Sequence, residues 1–148
     1  MRAVLQRVSR AEVRVDGETV GAVGAGLVVL LGVGPDDDEA VADGLARKIA
    51  ELRIFADDDG RTNRSLLDVG GEALVVSQFT LFADTSRGRR PGFTGAALPD
   101  QAIPLYERFA SALEGLGVRV ARGRFGAEMA VELVNEGPFT VWLDTSAR

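Results

Sequence analysis

Histidine and cysteine are both absent from this 148-residue chain, and lysine, tyrosine and tryptophan occur once each, as Lys48, Tyr106 and Trp142. Without cysteine there are no disulfides and no thiolate chemistry, and cysteine usage reports nothing about the compartment. Without histidine there is no Ser-His-Asp triad, no Cys-His pair and no zinc site built on His and Cys ligands. Acid–base work near neutral pH would fall to perturbed carboxylates, Lys48, a tyrosine or the substrate itself. No apolar run approaches the roughly 20 residues of a membrane helix. The opening "MRAVLQRVSR" meets Gln6, Arg7 and Arg10 before any long apolar stretch, unlike a secretory signal. A cytoplasmic location is expected. The net charge of −5 argues against broad, non-specific nucleic-acid binding, DNA included, but allows a local basic patch.

What is present reads as one domain, residues 1–148. A hydrophobic content of 46% and a charged content of 26% are ordinary for a globular chain able to bury a core. Val13 and Val15 alternate with polar neighbours, and Asp16-Gly17 is a hairpin signal. "GLVVLLGVG" suits a strand buried on both faces. Val41, Leu45, Ile49 and Leu52 then fall at helical spacing, and Asp36 with Glu39 resembles a capping box, so a helix is expected to start there. "EALVVSQFTLFAD" reads as a strand. "QAIPLYERFASALEGLG" reads as a helix with Ile103, Tyr106, Ala110 and Leu113 on one face. "VRVARGRF", "MAVELV" and "FTVWLDT" are strands. The expected fold class is α/β, with two main helices on a curved mixed, largely antiparallel or barrel-like sheet.

Several motifs carry possible chemistry. "GAVGAG" and "GVGPDDDE" are Gly-rich beside strands but match neither a dinucleotide fingerprint nor a Walker A loop, so they read as turns. The run Asp36, Asp37, Asp38, Glu39 suits a helix N-terminus, and "ADDDGRTN" lacks the closing Glu of a calcium loop. No metal and no cofactor is expected. "SRGRRPGF" places Arg87, Arg89 and Arg90 beside Phe93. It is either a solvated loop or a phosphate-contacting arm that Arg119, Arg122 and Arg124 would extend if they share a face. Residues 77–81, "SQFTL", set polar side chains where an apolar strand runs out, either to tie down a neighbouring loop or to line a pocket. In "VELVNEGPFTVWLDT" the break at Asn135, Glu136, Gly137 and Pro138 reads as a loop between two strands.

Taken together, "LQRVSRAEV", "SQFTLFAD", "RGRRPGFTGAA", "GRFGAEMAVELVNEGP" and "FTVWLDT" resemble the D-aminoacyl-tRNA deacylase family along nearly the whole chain. The sequence departs at Glu136, Phe139 and Gly92, where the family favours Asp, Val and Ser. The resemblance implies hydrolysis of the ester that joins a D-amino acid to the 3′ end of tRNA, by a homodimer whose active sites lie at the subunit interface. Ser77, Gln78, Phe79 and Thr80 match one active-site motif. Gly137 and Pro138 match the other, a Gly-cisPro unit that reaches into the partner's site and rejects L substrates. Arg7 and Asn135 match residues that support it. With no histidine, the substrate's ribose 2′-OH is the most economical activator of water, assisted by a backbone N–H near Phe79. A covalent role for Thr80 lacks an adjacent base. Two further readings stay open: a non-catalytic tRNA-binding module, and a small-molecule enzyme using carboxylates.

Overall fold

The computed structural model describes residues 1–147. The first strand, β1 (Arg2–Val15), is unusually long. Its buried residues run Ala3, Leu5, Val8, Ala11, Val13 and Val15, so the period-2 alternation slips between Leu5 and Val8 and again between Val8 and Ala11. Strand β1 keeps regular register with β3 from Arg2 to Val8, so Leu5 and Val8, three residues apart, point to opposite faces, and the extra residue Ser9 against β8 then keeps Ala11 and Val13 on the face of Val8. Ala3 and Leu5 accordingly join one apolar cluster, whereas Val8, Ala11 and Val13 join a second.

The chain continues through β2 (Glu18–Val23), β3 (Gly26–Gly32), α1 (Glu39–Glu51) and the short pair β4 (Phe55–Ala56) and β5 (Thr62–Arg64). A single-turn helix α2 (Leu66–Val69) leads into β6 (Glu72–Ser77). A 3-10 turn (Phe79–Phe82), the helix α3 (Pro99–Gly115), β7 (Arg119–Arg122) and β8 (Ala130–Asp144) complete the order. Strand β1 pairs antiparallel with β2, β3 and β8, while β3, β6 and β7 run parallel. The sheet curls until β2 meets β7: a Cβ added to Gly21 would overlap the carbonyl of Arg122. The expected α/β class, with a curved, barrel-like mixed sheet and two main helices, describes this architecture.

The two clusters form the core. Helices α1 and α3 cover one face of the sheet with Ala42, Leu45, Ala46, Ile49, Leu105, Phe109 and Leu113. Val8, Val13, Val28, Leu74 and Val76 fill the second cluster. Strand β3 contributes to both, which is why it is apolar throughout.

Several expectations need correction. Helix α1 is capped by Asp38, whose carboxylate accepts from the Val41 N–H at 2.9 Å, and not by an Asp36–Glu39 box. Asp37 is instead drawn back to the Gly34 N–H at 2.7 Å. The capping box in this chain is Ser65 with Asp68, at the start of α2. On α3 the buried stripe is Ala102, Leu105, Tyr106, Phe109, Ala110 and Leu113, and Ile103 is exposed. Phe109 and Leu105, larger than the alanines, orient the helix. Residues 131–143 are not two strands joined by a loop but one strand, because β1 is long enough to pair with both halves. The strand expected through "SQFTL" stops at Ser77. No described helix is long and apolar enough to cross a membrane.

Candidate active site

The ladder between β1 and β8 breaks at one place. Gln6 pairs with Thr140 and Val8 with Asn135, so the single residue Arg7 stands opposite four, 136–139. A bulge of that size leaves its backbone groups without ladder partners. Arg7 takes up the gap. Its Nε donates to the Glu136 carbonyl at 3.1 Å and its Nη1 to the Ile54 carbonyl at 2.8 Å, while the guanidinium lies 4.7 Å from the centre of the Phe139 ring. Asn135 closes the bulge from within: its Oδ1 accepts from the Phe139 N–H at 3.0 Å and its Nδ2 donates to Thr140 Oγ1 at 3.1 Å.

At the crest sit Gly137 and Pro138, joined by a cis peptide and both exposed. Gly137 has φ of 132°, a region that side chains disfavour, and a Cβ there would lie 2.9 Å from Arg7 Nη2. The bulge thus presents an exposed Gly137-Pro138 unit on a braced support. Phe139 supplies the ring that the guanidinium covers.

The other motif lies at the end of β6. Gln78 donates its N–H to the Leu31 carbonyl at 2.8 Å, and the chain then turns into the 3-10 segment. The opening N–H groups of a helical turn have no partner inside it. Those of Phe79 and Thr80 have no protein acceptor among the described residues. The Gln78 amide donates to the Thr80 hydroxyl. Ser77, Gln78 and Phe79 line a cleft of about 560 Å³ whose other walls include Phe93, Leu98, Phe125 and Met129. Thr80 is exposed just beyond it. Phe93 stacks edge-on against Phe79 at 5.1 Å, which ties the arginine loop to this turn.

No ionisable side chain lines the cleft. Asp43, Asp57, Asp68, Glu72, Asp84, Glu114, Glu132 and Asp144 are all held below the usual carboxylate range by hydrogen bonds. Burial pushes Tyr106 up to about 12, and its hydroxyl donates to the Val75 carbonyl at 2.8 Å. The acidic loop after β4 is internally satisfied, since Asp57 accepts from the N–H groups of Asp59 and Arg61 and from Asn63 Nδ2. None of these groups is poised as a base.

The arginine loop is closed by paired backbone bonds between Asp84 and Gly92, at 2.7 and 2.9 Å. Arg87, Arg89 and Arg90 are exposed on it and make no ion pair among the described residues. Arg119 and Arg122 do not extend this patch: Arg119 pairs with Glu72, and Arg122 with Glu107 and Glu114. Those acidic partners stand on other elements, β6 and α3.

Residues 4–144 match the model of the D-Tyr-tRNA(Tyr) deacylase family. The chain belongs to this family. It is accordingly a hydrolase. A relative from Roseiflexus castenholzii named D-aminoacyl-tRNA deacylase is 64% identical over 99% of this chain and 93% of its own length. One of the same name from Deinococcus radiodurans is 60% identical over 97% of this chain and 99% of its own. Among solved structures, one described as c-Myc DNA Unwinding Element Binding Protein superposes with a TM-score of 0.93, is 40% identical, and covers 99% of this chain and 100% of that one. A probable eukaryotic D-amino acid tRNA deacylase shares the fold at a TM-score of 0.83 and 20% identity, over 96% of this chain and 97% of that one.

Within one chain the two family motifs do not share a cleft. Ser77, Gln78 and Phe79 line the cavity, and neither Gly137 nor Pro138 does. Replacing Arg7 by Ala removes two charge-assisted hydrogen bonds and the stack on Phe139, at a cost of about 1–3 kcal/mol in urea unfolding. Amide exchange at Phe139 is expected to accelerate. Arg7→Lys should restore little, because a point-charge ammonium cannot bridge both carbonyls and cover the ring. An unchanged exchange rate in Arg7→Ala would show that the bulge holds itself.

Proposed function

We propose that this protein hydrolyses the ester of D-aminoacyl-tRNA, in a site built from the cleft of one subunit and the Gly137-Pro138 crest of a second. The observation that carries the reading is an apolar cleft with free N–H groups and no ionisable side chain among the described residues, in a chain whose exposed Gly137-Pro138 unit lies outside that cleft. A second copy can supply what the first lacks. Among the described strands β8 pairs with β1 alone, which leaves its other edge open to a second copy related by a two-fold axis.

The chemistry follows from these parts. The apolar walls accept the terminal adenosine and place its ester carbonyl at the turn. The N–H groups of Phe79 and Thr80 receive the oxyanion that forms when water adds to the carbonyl carbon. With no base on the protein, the ribose 2′-OH orients and activates that water. The tetrahedral intermediate then expels the ribose 3′ oxygen; the proton given up by the water passes to the 2′-OH, which hands its own to the 3′ oxygen, so the tRNA leaves with both hydroxyls and the amino acid is freed. Thr80 Oγ1 accepts from an amide, which does nothing to remove its own proton, so it is not a covalent nucleophile.

Selection rests on main-chain atoms. The Gly137 carbonyl of the partner accepts from the α-amino group. An L side chain then meets the same backbone, whereas a D side chain points to solvent. Glycine has no Cβ, and sterics cannot exclude a smaller group. Incubation with D-tyrosyl-, L-tyrosyl- and glycyl-tRNA is expected to cleave the first and third and spare the second. Thr80→Ala is expected to retain most of the wild-type rate in the same assay. Equal cleavage of D and L forms, or a trapped aminoacyl ester on Thr80, contradicts this mechanism. Binding of tRNA with no ester loss would favour the non-catalytic module instead.

Arg87, Arg89 and Arg90, unpaired beside the cleft, are placed to contact phosphates near the tRNA 3′ end. Substituting all three by Ala is expected to weaken binding and reduce the slope of log K against log salt by about 2. An unaltered slope would give the loop a purely structural role.

A further inference from the structure

The 3-10 turn (Phe79–Phe82) has two ends, and the proposed reaction uses only the first. At the other end the Leu81 carbonyl accepts from Arg2 Nη1 at 2.9 Å. The same guanidinium donates through Nε to Asp144 Oδ2 at 3.2 Å. Its central carbon lies 4.4 Å from the centre of the Phe82 ring and 5.9 Å from that of Trp142. Arg2 is therefore seated between the turn and the far end of β8.

Its anchorage is rigid. The backbone of Arg2 is paired with Gly32 on β3 and with Asp144 on β8. Phe82 is wedged as well, since a Cβ at Gly32 or Gly34 would lie 3.1 Å from its ring. Two ladders thus fix where the guanidinium stands, and the guanidinium fixes the Leu81 carbonyl, late in a turn whose first N–H groups are free.

We infer that Arg2 is a positioning residue for the deacylase site, which holds the Phe79 and Thr80 N–H groups at the place where the oxyanion forms. The inference rests on the reading given under Proposed function. Arg2 touches no substrate and acts only through Leu81 and Phe82. A donor displaced by a fraction of an ångström still permits binding but stabilises the transition state less. The signature is a loss in kcat with KM little changed. A merely stabilising ion pair at the sheet edge would leave both constants alone once the folded fraction is equal.

The test is steady-state kinetics on D-tyrosyl-tRNA with wild type, Arg2→Ala and Arg2→Lys, each scaled to its folded fraction by circular dichroism. The expected result is a kcat lowered on the order of tenfold to a hundredfold in Arg2→Ala. Arg2→Lys should fall in the same direction, because an ammonium cannot span the Leu81 carbonyl, Asp144 and two rings. Trp142, the only tryptophan, should report the lost guanidinium as a shift in emission. If Arg2→Ala does not fold, Arg2→Lys decides by the same criteria. Wild-type kcat in the folded variants, or a rise in KM alone, overturns the inference and leaves the deacylase reading intact. A wild-type protein inactive on D-tyrosyl-tRNA overturns that reading and this inference with it.

Discussion

The structure depends on one guanidinium in a gap. Where β1 and β8 lose register, Arg7 alone faces residues 136–139; it meets them with a hydrogen bond to the Glu136 carbonyl and a contact on the Phe139 ring, and a second hydrogen bond ties it to the Ile54 carbonyl. An edge strand with so large a bulge would otherwise leave its carbonyls to water and its conformation loose. Held from beneath by Arg7 and closed by Asn135, the bulge becomes a stiff projection of main-chain atoms. On the proposed reading, selection by backbone requires that stiffness, since a soft crest would yield to an L side chain. The same bulge coincides with the point where β1 passes from one apolar cluster to the other.

The cleft complements the crest. It has an apolar wall, free N–H groups and no titratable side chain. A chain without histidine or cysteine, in which hydrogen bonds hold carboxylates such as Asp57, Glu72 and Glu132 below their usual range, offers little to protonate or deprotonate a substrate. On the proposed reading such a site works by placing groups and stabilising charge, and its reach is limited to substrates that bring their own activating hydroxyl. This makes the geometry of the turn decisive, and it gives residues that never touch substrate, Arg7 under the crest and Arg2 behind the turn, a larger role than their chemistry suggests.

Much of this was legible in the sequence. Strong periods revealed the strands, α1 and α3, and the doubly buried β3 was evident from its unbroken apolar run. The motifs matched by resemblance pointed to Ser77, Gln78, Phe79, Gly137 and Pro138. The structure then places the first three at one cleft and the last two on a separate crest. What stayed hidden depends on distant partners. Turn residues at 135–138 look like a loop until β1 is seen to pair on both sides of them. The single-turn α2 is too short to show a period. Arg119 and Arg122 look like part of a basic patch because their acidic partners stand on other elements. Arg2 resembles any surface cation, and only the fold brings it beneath Leu81.

The central claim is that the cleft of one subunit works with the crest of another. Mixed dimers test it most directly. One variant carries a crest blocked by Gly137→Val with its cleft intact. The other carries a cleft blocked by Ala96→Trp with its crest intact. Each alone is expected to be inactive on D-tyrosyl-tRNA, and mixing after subunit exchange is expected to restore activity, because one cleft in each mixed dimer then meets an intact crest. Activity that stays absent in verified mixed dimers, with both variants folded, would contradict the account and place cleft and crest of a single chain in the same site.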